Sequence, residues 1–336
     1  MIAAVDLTTD EIHRTARSIA DLQLPDGMIE WFPGGHTDPW NHIEAAMALA
    51  TCGLVTEADR AYDWLASMQR TDGSWHNYYT AAGVEDPKID TNCVAYIATG
   101  VWHQYLTTGN AERLVSRWSL VEQAIDFVLT MQTPRGEIVW ACSADERPWD
   151  YALLTGSASI SHSLRCAVRI AEALGKRRDD WREARARLVS VVAELPQAFE
   201  PKDRWAMDWY YPVLSGAVTG DAARSMLRAG WDTFVMEGKG VRCVSDRPWV
   251  TTAETCECAI AHLAAGEPEK ARALLDWTRA LRDHDGSYFT GLAFPEAVFF
   301  PDHERSAYSA AAVVLAADAI SGCSPTSDLF LPGSAN

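Results

Sequence analysis

A turn motif that recurs after helical segments constrains the fold of this chain more than any other feature of its sequence. The clearest copy is QRTDGSW at residues 69–75, where a glutamine precedes Asp-Gly and a tryptophan. Further copies, some of them diverged, lie at residues 22–32, 131–141, 195–211, 236–244 and 281–291. Such a recurrence indicates a helical repeat protein in which Asp-Gly or Gly supplies each tight turn.

Two kinds of helical segment flank these turns. The segment before each turn is amphipathic and carries Asp or Glu near its start, where the helix dipole favours negative charge. The segment after each turn is rich in Ala, Ser, Gly and Cys, as at residues 40–53, 251–266 and 305–322. Small residues let helices approach one another closely on all sides. We therefore predict an inner ring of small-residue helices and an outer ring of amphipathic helices.

Six helical hairpins of this kind predict an all-α protein with the (α/α)6 toroid, or barrel, architecture. We assign residues 1–322 to a single toroid domain and residues 323–336 to a C-terminal tail. An open solenoid is the alternative, but the segments show no obvious polar end caps, which favours ring closure. No segment alternates over enough residues to predict more than a minor content of β-sheet.

The charge of the chain limits its partners. The formal net charge is −17 at pH 7 without a basic stripe, so we expect no binding to nucleic acid or to anionic membrane surfaces. The sequence shows no apolar run long enough to span a bilayer and no signal-peptide pattern, so we expect a soluble, cytoplasmic protein. We predict no cofactor and no metal, because Cys256 and Cys258 are two residues apart on a helix and point to different faces. The sequence predicts nothing about the oligomeric state.

The six turns should lie on one rim of the toroid, beside the starts of the inner helices. The chain has 14 tryptophans, most of them near turns, which is typical of a lined cavity. We predict a small-molecule or glycan substrate bound by aromatic and polar residues at these positions. They are His36, Asp38, Trp40, His42, Trp75, Asp208, Trp209, Tyr210, Tyr211, Trp249, Tyr288, His303 and Tyr308.

Three carboxylates are the candidate catalytic groups: Asp90, Glu254 and Glu304. Asp90 precedes an inner helix. Glu254 lies one turn into a helix rich in Ala and Cys, where an unpaired carboxylate is costly unless it serves a site. Glu304 belongs to the run DHER, which is predicted to open the last inner helix next to two phenylalanines. Each also has a structural interpretation, as a helix cap or a solvated charge.

The motif QRTDGSW resembles the QW repeat of the terpenoid cyclase and protein prenyltransferase superfamily, and LRDHDGSYF at residues 281–289 is a weaker copy. This resemblance implies an isoprenoid substrate processed by acid catalysis in an aromatic cavity, because aromatic faces stabilise carbocations. In class II cyclases the acid is the middle Asp of a DxDD-type motif. The nearest match is KIDTNC at residues 88–93, which aligns Asp90 with the acid and Lys88 with the first Asp.

A carbohydrate-active (α/α)6 enzyme, either a glycoside hydrolase, a lyase or an epimerase, is the alternative. Aromatic faces also stack on sugar rings, and paired carboxylates then act as acid and base. The pair would be two of Asp38, Asp90, Asp208, Glu254 and Glu304. A third interpretation is a binding module, in which substitution of these carboxylates changes affinity only. The isoprenoid enzyme is the leading hypothesis from the sequence.

Overall fold

The computed structural model describes residues 7–333, and its helices form two concentric rings. The inner ring consists of α2 (Pro39–Thr51), α4 (Thr91–Ala95) continued by α5 (Ile97–Thr108), α8 (Leu154–Ala173), α10 (Ala206–Leu214), α12 (Thr252–Ala264) and α14 (Ala307–Ser321). The outer ring consists of α1 (Thr9–Ala20), α3 (Val55–Met68), α6 (Ala111–Ser116) with α7 (Trp118–Thr130), α9 (Asp179–Glu194), α11 (Gly220–Phe234) and α13 (Pro268–Trp277). Short 3₁₀ helices span Pro196–Ala198 and Thr278–Leu281.

The inner ring closes on itself. Each inner helix packs against the next one in sequence, and α14 packs against α2. The predicted (α/α)6 toroid is therefore confirmed, and the open solenoid is excluded. In this order α2 lies opposite α10, α4–α5 opposite α12, and α8 opposite α14.

Residue size explains which helices are inside. In α14, eleven of the fifteen residues are buried, most of them Ala or Val, because neighbours surround the helix on every side. In α1, only Thr15, Ala16 and Ile19 are buried, and the remaining face is polar. A capping box fixes the start of α1, with the Thr8 hydroxyl accepting from the Glu11 N–H and the Glu11 carboxylate accepting from the Thr8 N–H. Burial of one face therefore places α1 outside, as its amphipathic pattern predicts.

In four of its copies the recurring turn links one outer helix to the next. Gln69 Nε2 donates to the carbonyl of Gly73 within its own turn and to the carbonyl of Leu120 on α7, both at 2.9 Å. Gln23 and Gln132 make the same pair of bonds, and Arg282 reaches Glu11 on α1 to complete the ring. These bonds satisfy main-chain groups between layers. The motif that resembles a QW repeat therefore has a structural role, which is to connect neighbouring outer helices by hydrogen bonds.

The β-strands are a minor part of the described residues, as predicted, and they form three small sheets. A hairpin pairs β1 (Tyr78–Thr80) with β2 (Gly83–Asp86), and β3 (Ile89–Asp90) pairs with β4 (Ala141–Cys142). A five-stranded antiparallel sheet orders β5 (Val235–Met236), β6 (Gly240–Arg242), β7 (Trp249–Thr251), β8 (Phe289–Ala293) and β9 (Val298–Arg305). Most of these strands are too short to give an alternating pattern. They lie in the loops that lead to the starts of the inner helices.

Glu304 shows one consequence of these strands. The run DHER was predicted to open the last inner helix, but it ends β9, and α14 begins at Ala307. Ser306 provides the N-cap by accepting a hydrogen bond from the Ser309 N–H. The prediction placed the helix start a few residues too early because β9 hydrogen-bonds its residues to β8. Across residues 7–333, no helix is long and apolar enough to cross a membrane.

Candidate active site

Trp40, the second residue of α2, lies in the mouth of the ring among tyrosines from the other inner helices. Its ring centroid is 5.8 Å from that of Tyr96, 6.3 Å from that of Tyr211 and 5.4 Å from that of Tyr308. The half-buried indole has no acceptor for its Nε1–H among residues 7–333. The exposed part of its ring face can stack on a sugar ring.

Glu257 on α12 is held by three tyrosine hydroxyls. Tyr308 on α14 donates to Oε1 at 2.6 Å, Tyr211 on α10 donates to the same oxygen at 2.9 Å, and Tyr210 donates to Oε2. The carboxyl is buried, with 4% of the residue exposed. These bonds join three consecutive inner helices around one acidic group.

Glu44 on α2 lies near Glu257 at a similar depth, since each is six residues into its helix. The Tyr96 hydroxyl donates to Glu44 Oε1 at 2.6 Å. Burial raises the pKa of Glu44, and burial together with the charge of Glu44 raises the pKa of Glu257. Two carboxyls in one apolar cavity cannot both ionise cheaply, so the pair retains a proton near neutral pH.

Asp38 and Asp90 cap two neighbouring inner helices at the mouth. Asp38 accepts from the Asn41 N–H at 3.0 Å, and Asp90 accepts from the Asn92 N–H at 2.9 Å, so each satisfies the first turn of its helix. The second oxygen of each accepts from a tryptophan indole, Trp31 for Asp38 and Trp140 for Asp90. Both carboxylates are therefore fixed in orientation.

The two caps differ in their charged surroundings. Burial raises the pKa of Asp90, but the nearby Lys88 ammonium lowers it, and this ammonium lies 4.6 Å from the Trp140 ring centroid. Burial also raises the pKa of Asp38, whereas hydrogen bonds from Asn41 and Trp31 lower it. Asp90 is thus the cap carboxylate that a cation helps to keep ionised.

Glu254 lies on α12, across the ring from Asp90. Burial raises its pKa, and the Thr251 hydroxyl lowers it. Among the described residues, no lysine, arginine or histidine forms an ion pair with it. Its charge also raises the pKa values of Glu257 and Tyr210, which places it on their side of the mouth. A carboxyl in this environment favours the protonated form.

Residues near the C-terminus form part of the cavity floor. The Phe330 ring stacks on His162 of α8, with centroids 4.7 Å apart, and lines the same cavity as Glu44 and Glu257. His162 Nε2 contacts the carbonyl of Leu329 at 3.1 Å, and Arg165 donates to the same carbonyl. Burial lowers the pKa of His162 well below its ordinary value. The cavity is therefore polar at the mouth and increasingly apolar towards this floor.

Several residues predicted to bind substrate lie away from this cavity. His42 Nδ1 accepts from the Ile29 N–H, and its Nε2 contacts a carbonyl of α3. The indoles of Trp75 and Trp209 donate to carbonyls of α3 and α11. Tyr288 is completely buried. These side chains join the inner layer to its surroundings rather than line the cavity.

Other predicted residues lie in the loops around the mouth. His36 forms an ion pair of 3.1 Å with Glu85, and Trp249 is exposed beside Phe300. His303 is exposed, and Glu304 Oε1 accepts a 2.7 Å hydrogen bond from Thr290. Asp208 accepts a hydrogen bond from the Thr155 hydroxyl between α8 and α10. The structure therefore brings Asp38, Trp40, Tyr210, Tyr211 and Tyr308 together at the centre, and places these others around it.

The sequence places Glu44 and Glu257 near the starts of inner helices but did not lead us to select them as site residues, and Tyr96 was not considered, although all three contribute to the centre. Glu44 and Glu257 carried the same signal as Glu254, an isolated carboxylate within a run of small apolar residues. Such a residue is costly to bury unless it is hydrogen-bonded or functional. Tyr96 gave no comparable signal. Within residues 7–333, no three His, Cys, Asp or Glu side chains converge in a way that could hold a metal ion.

Three solved structures with the same fold have the names of enzymes that act on sugars. A wild-type glycosidase superposes with a TM-score of 0.72 at 17% identity, covering 96% of this chain and 98% of its own. A D-mannose isomerase gives a TM-score of 0.69 at 12% identity over 94% of this chain and 99% of its own. Cellobiose 2-epimerase from Bacillus thermoamylovorans gives 0.68 at 10% identity, covering 92% of this chain and 98% of its own. At these identities the likeness establishes the fold, which is that of the (α/α)6 glycosidases and epimerases.

A sequence relative defines the family more closely. The chain is 48% identical over 324 residues to the MMP endo-(1,4)-3-O-methyl-α-D-mannosidase of Mycolicibacterium hassiacum, covering 96% of this chain and 90% of that protein. This chain belongs to the family of that mannosidase. No family model matches the sequence.

These findings correct the leading hypothesis from the sequence. Membership of the terpenoid cyclase and prenyltransferase superfamily is wrong, and so is the isoprenoid substrate, because the relative at 48% identity is a mannosidase. The turn motif does not identify the superfamily, because Gln, Asp-Gly and an aromatic residue suit any toroid in which the turn connects one outer helix to the next by hydrogen bonds. The buried pair Glu44 and Glu257 is also a poor lining for a hydrocarbon, whereas the alternative, a carbohydrate-active enzyme, agrees with the family.

Proposed function

We propose that this protein is a glycoside hydrolase that cleaves internal α-1,4 bonds in chains of 3-O-methyl-mannose. The observation that carries the proposal is a pair of carboxyls with contrasting surroundings on opposite walls of an aromatic-lined mouth, Asp90 on one side and Glu254 on the other. The substrate class follows the relative named an endo-(1,4)-3-O-methyl-α-D-mannosidase.

Glu254 is proposed as the general acid. Burial raises its pKa and so favours the protonated form, and it donates this proton to the glycosidic oxygen as the bond from the anomeric carbon breaks. Asp90 is proposed as the general base. Its two indole- and backbone-bonded oxygens keep it oriented to take a proton from the attacking water. The new carbon–oxygen bond then forms on the face opposite the leaving group, which inverts the anomeric configuration.

The remaining residues of the centre are proposed to bind the sugar. Trp40 offers a ring face, and Asp38 lies two residues before it at the helix cap. Tyr211 and Tyr308 hold Glu257 beneath the sugar and present their ring faces to the mouth. Glu304 and His303 are proposed to contact the substrate at the rim. The eight cysteines are free thiols, which supports a cytoplasmic location.

The test is a product analysis. The purified protein is incubated with an α-1,4-linked 3-O-methyl-mannose oligosaccharide, and products are followed by mass spectrometry and by proton NMR of the new anomeric centre. We expect internal fragments that have gained one water, with the β-anomer appearing first. Products of unchanged mass would indicate an epimerase, and unsaturated products a lyase, and either result would refute the hydrolase. An unmethylated α-1,4-mannose oligosaccharide is the control for the methyl group.

A further inference from the structure

A second groove opens on the mouth side of the ring, away from Trp40. We call it the rim groove, and it is lined mainly by Leu154, Phe199, Trp205, Asp208, Trp209 and Phe234. It lies between the starts of α8 and α10, the end of α11 and the loop that precedes α10. None of these residues lines the central cavity.

The wall of the rim groove contains one exposed indole, that of Trp205, beside the well-packed indole of Trp209. Trp205 is 45% exposed, and its backbone is paired with that of Val244. Trp209 stacks on Phe234, with ring centroids 5.5 Å apart and planes inclined by 15°, and its own N–H is already bonded to α11. The Arg204 guanidinium lies 5.3 Å from the Trp205 ring centroid. The exposed remainder of the Trp205 indole can contact a ligand, while Trp209 supports the wall.

Asp208 is one of several polar groups in this groove, which Glu200, Lys202 and Asp203 also line. Its Oδ1 accepts from both the N–H and the hydroxyl of Thr155. Its Oδ2 receives no hydrogen bond from any residue between 7 and 333, and the Lys202 ammonium in the same groove acts on the carboxylate through its charge without forming an ion pair. A half-buried carboxylate with one oriented, unoccupied oxygen is costly without a donor from a ligand or water.

The rim groove continues along the mouth. A neighbouring hollow shares Phe199 and Glu200 with it and extends to Tyr151 and Glu137. The two hollows together line one surface with aromatic rings and with charged side chains of both signs. Such a surface suits a ligand made of repeating units better than one compact molecule.

We propose that the rim groove binds a sugar unit of the substrate chain at a distance from the bond that is cleaved. In this assignment the Trp205 indole stacks on the apolar face of the sugar and its methyl ether, and Asp208 Oδ2 accepts a hydrogen bond from a sugar hydroxyl. A neutral glycan avoids repulsion from a chain of net charge −17 and supplies the donor that a hydrocarbon lacks. The inference rests on the proposed function, since an enzyme that cleaves internal bonds must hold units on both sides of the cut.

The experiment compares chain lengths. Hydrolysis of a short and of a long α-1,4-linked 3-O-methyl-mannose oligomer is measured for the wild type, Trp205→Ala, Trp205→Phe and Asp208→Asn. We expect Trp205→Ala to lower kcat/KM for the long oligomer about tenfold through KM, which corresponds to ~1.4 kcal/mol, and to leave the short oligomer unchanged. Trp205→Phe should retain most of the preference for the long oligomer. Val115→Ala, at a valine on α6 that is 61% exposed, is the matched control.

The outcomes separate this inference from the proposed function. An equal loss on both oligomers, or no loss on either, would overturn the rim groove as a sugar site. If the wild type cleaves neither oligomer, the proposed hydrolase activity is refuted. The rim groove is then tested by measuring the binding of the two oligomers. The groove then stands only if calorimetry shows that the long oligomer binds more tightly than the short one and that Trp205→Ala abolishes the difference. Thermal unfolding of each variant checks that the fold is intact.

Discussion

The Tyr308 hydroxyl on α14 donates a hydrogen bond of 2.6 Å to Glu257 on the neighbouring helix α12. Tyr210 and Tyr211 on α10 donate to the same carboxyl, so one acidic group connects three inner helices. Hydroxyl donors favour the ionised carboxylate, while burial and the charge of Glu44 oppose it. The group therefore has a raised pKa despite full hydrogen bonding, which makes the stability of the ring dependent on pH.

We expect Glu257→Gln to reduce the loss of stability that the protein shows as the pH rises. The folded-state pKa of Glu257 lies above its unfolded value, so its stabilising contribution is complete below the unfolded pKa and is lost as the pH rises through the folded one. Each unit of this shift corresponds to ~1.4 kcal/mol. Denaturant unfolding at about pH 5 and about pH 8 measures the effect. Equal differences between these pH values in the wild type and Glu257→Gln would contradict it, and Glu237→Gln at the surface is the control.

Glu254→Gln should nearly abolish hydrolysis while leaving the fold intact. The amide cannot donate the proton that the leaving oxygen requires, and loss of a general acid costs ~10²–10⁴-fold in rate. The measurement is kcat on the 3-O-methyl-mannose oligosaccharide, with thermal unfolding as the check on folding. A variant that retains more than about a tenth of the wild-type kcat would remove Glu254 from the proposed mechanism.

Lys88→Met should move the acidic limb of the pH–rate profile to higher pH. The Lys88 ammonium lowers the pKa of Asp90, so its removal raises that pKa and leaves less of the base ionised at low pH. The profile of kcat/KM reports the free enzyme. Lys176→Met is the matched control, since that ammonium lies over Trp118, which packs on the outer layer. An unshifted acidic limb would mean that Asp90 is not the base.

Gly73→Ala should destabilise the protein much more than Gly53→Ala. Both glycines have positive φ, +92° and +81°, so each alanine incurs a similar backbone strain of ~1–2 kcal/mol. At Gly73 the new Cβ would also lie 2.4 Å from the carbonyl oxygen of Gln123 on α7, whereas nothing lies within 4 Å at Gly53. We expect an additional loss of ~1–3 kcal/mol at Gly73. Equal unfolding midpoints for the two variants would show that the turns do not clip the outer helices together.

Phe330→Ala should raise the pKa of His162 towards its ordinary value. The phenyl ring covers the imidazole, and burial is the main reason why its pKa is low. Water that enters the vacated space stabilises the imidazolium. Titration of the imidazole protons by NMR measures the shift, and His262, which is paired with Glu267 on the other side of α12, serves as the internal control. An unchanged His162 pKa would show that Phe330 does not seal the floor.

Local patterns in the sequence predicted the ring but not the composition of its centre. The contrast between α14, with its buried alanines and valines, and α1, with its single buried face, can be read from residue size and charge alone. The position of Glu304 could not be predicted in this way, because pairing of β9 with β8 shifts the start of α14. His42 and Trp75 were predicted in the cavity, but a small rotation of a helix or turn directs such side chains between layers.

The sequence by itself determined a closed ring of helices. A helix buried on all sides is rich in small apolar residues, and a helix buried on one side has an amphipathic pattern, so both kinds can be recognised from the sequence. Only the tertiary structure decided which acids meet. Glu44 and Glu257 are more than two hundred residues apart and share one cavity because their helices enter it to the same depth. Asp90 and Glu254 lie on opposite sides of the ring because their helices take opposite places in it. The depth of a side chain in the cavity and its angular position around the ring depend on how the helices pack. They cannot be predicted from the sequence of any single segment.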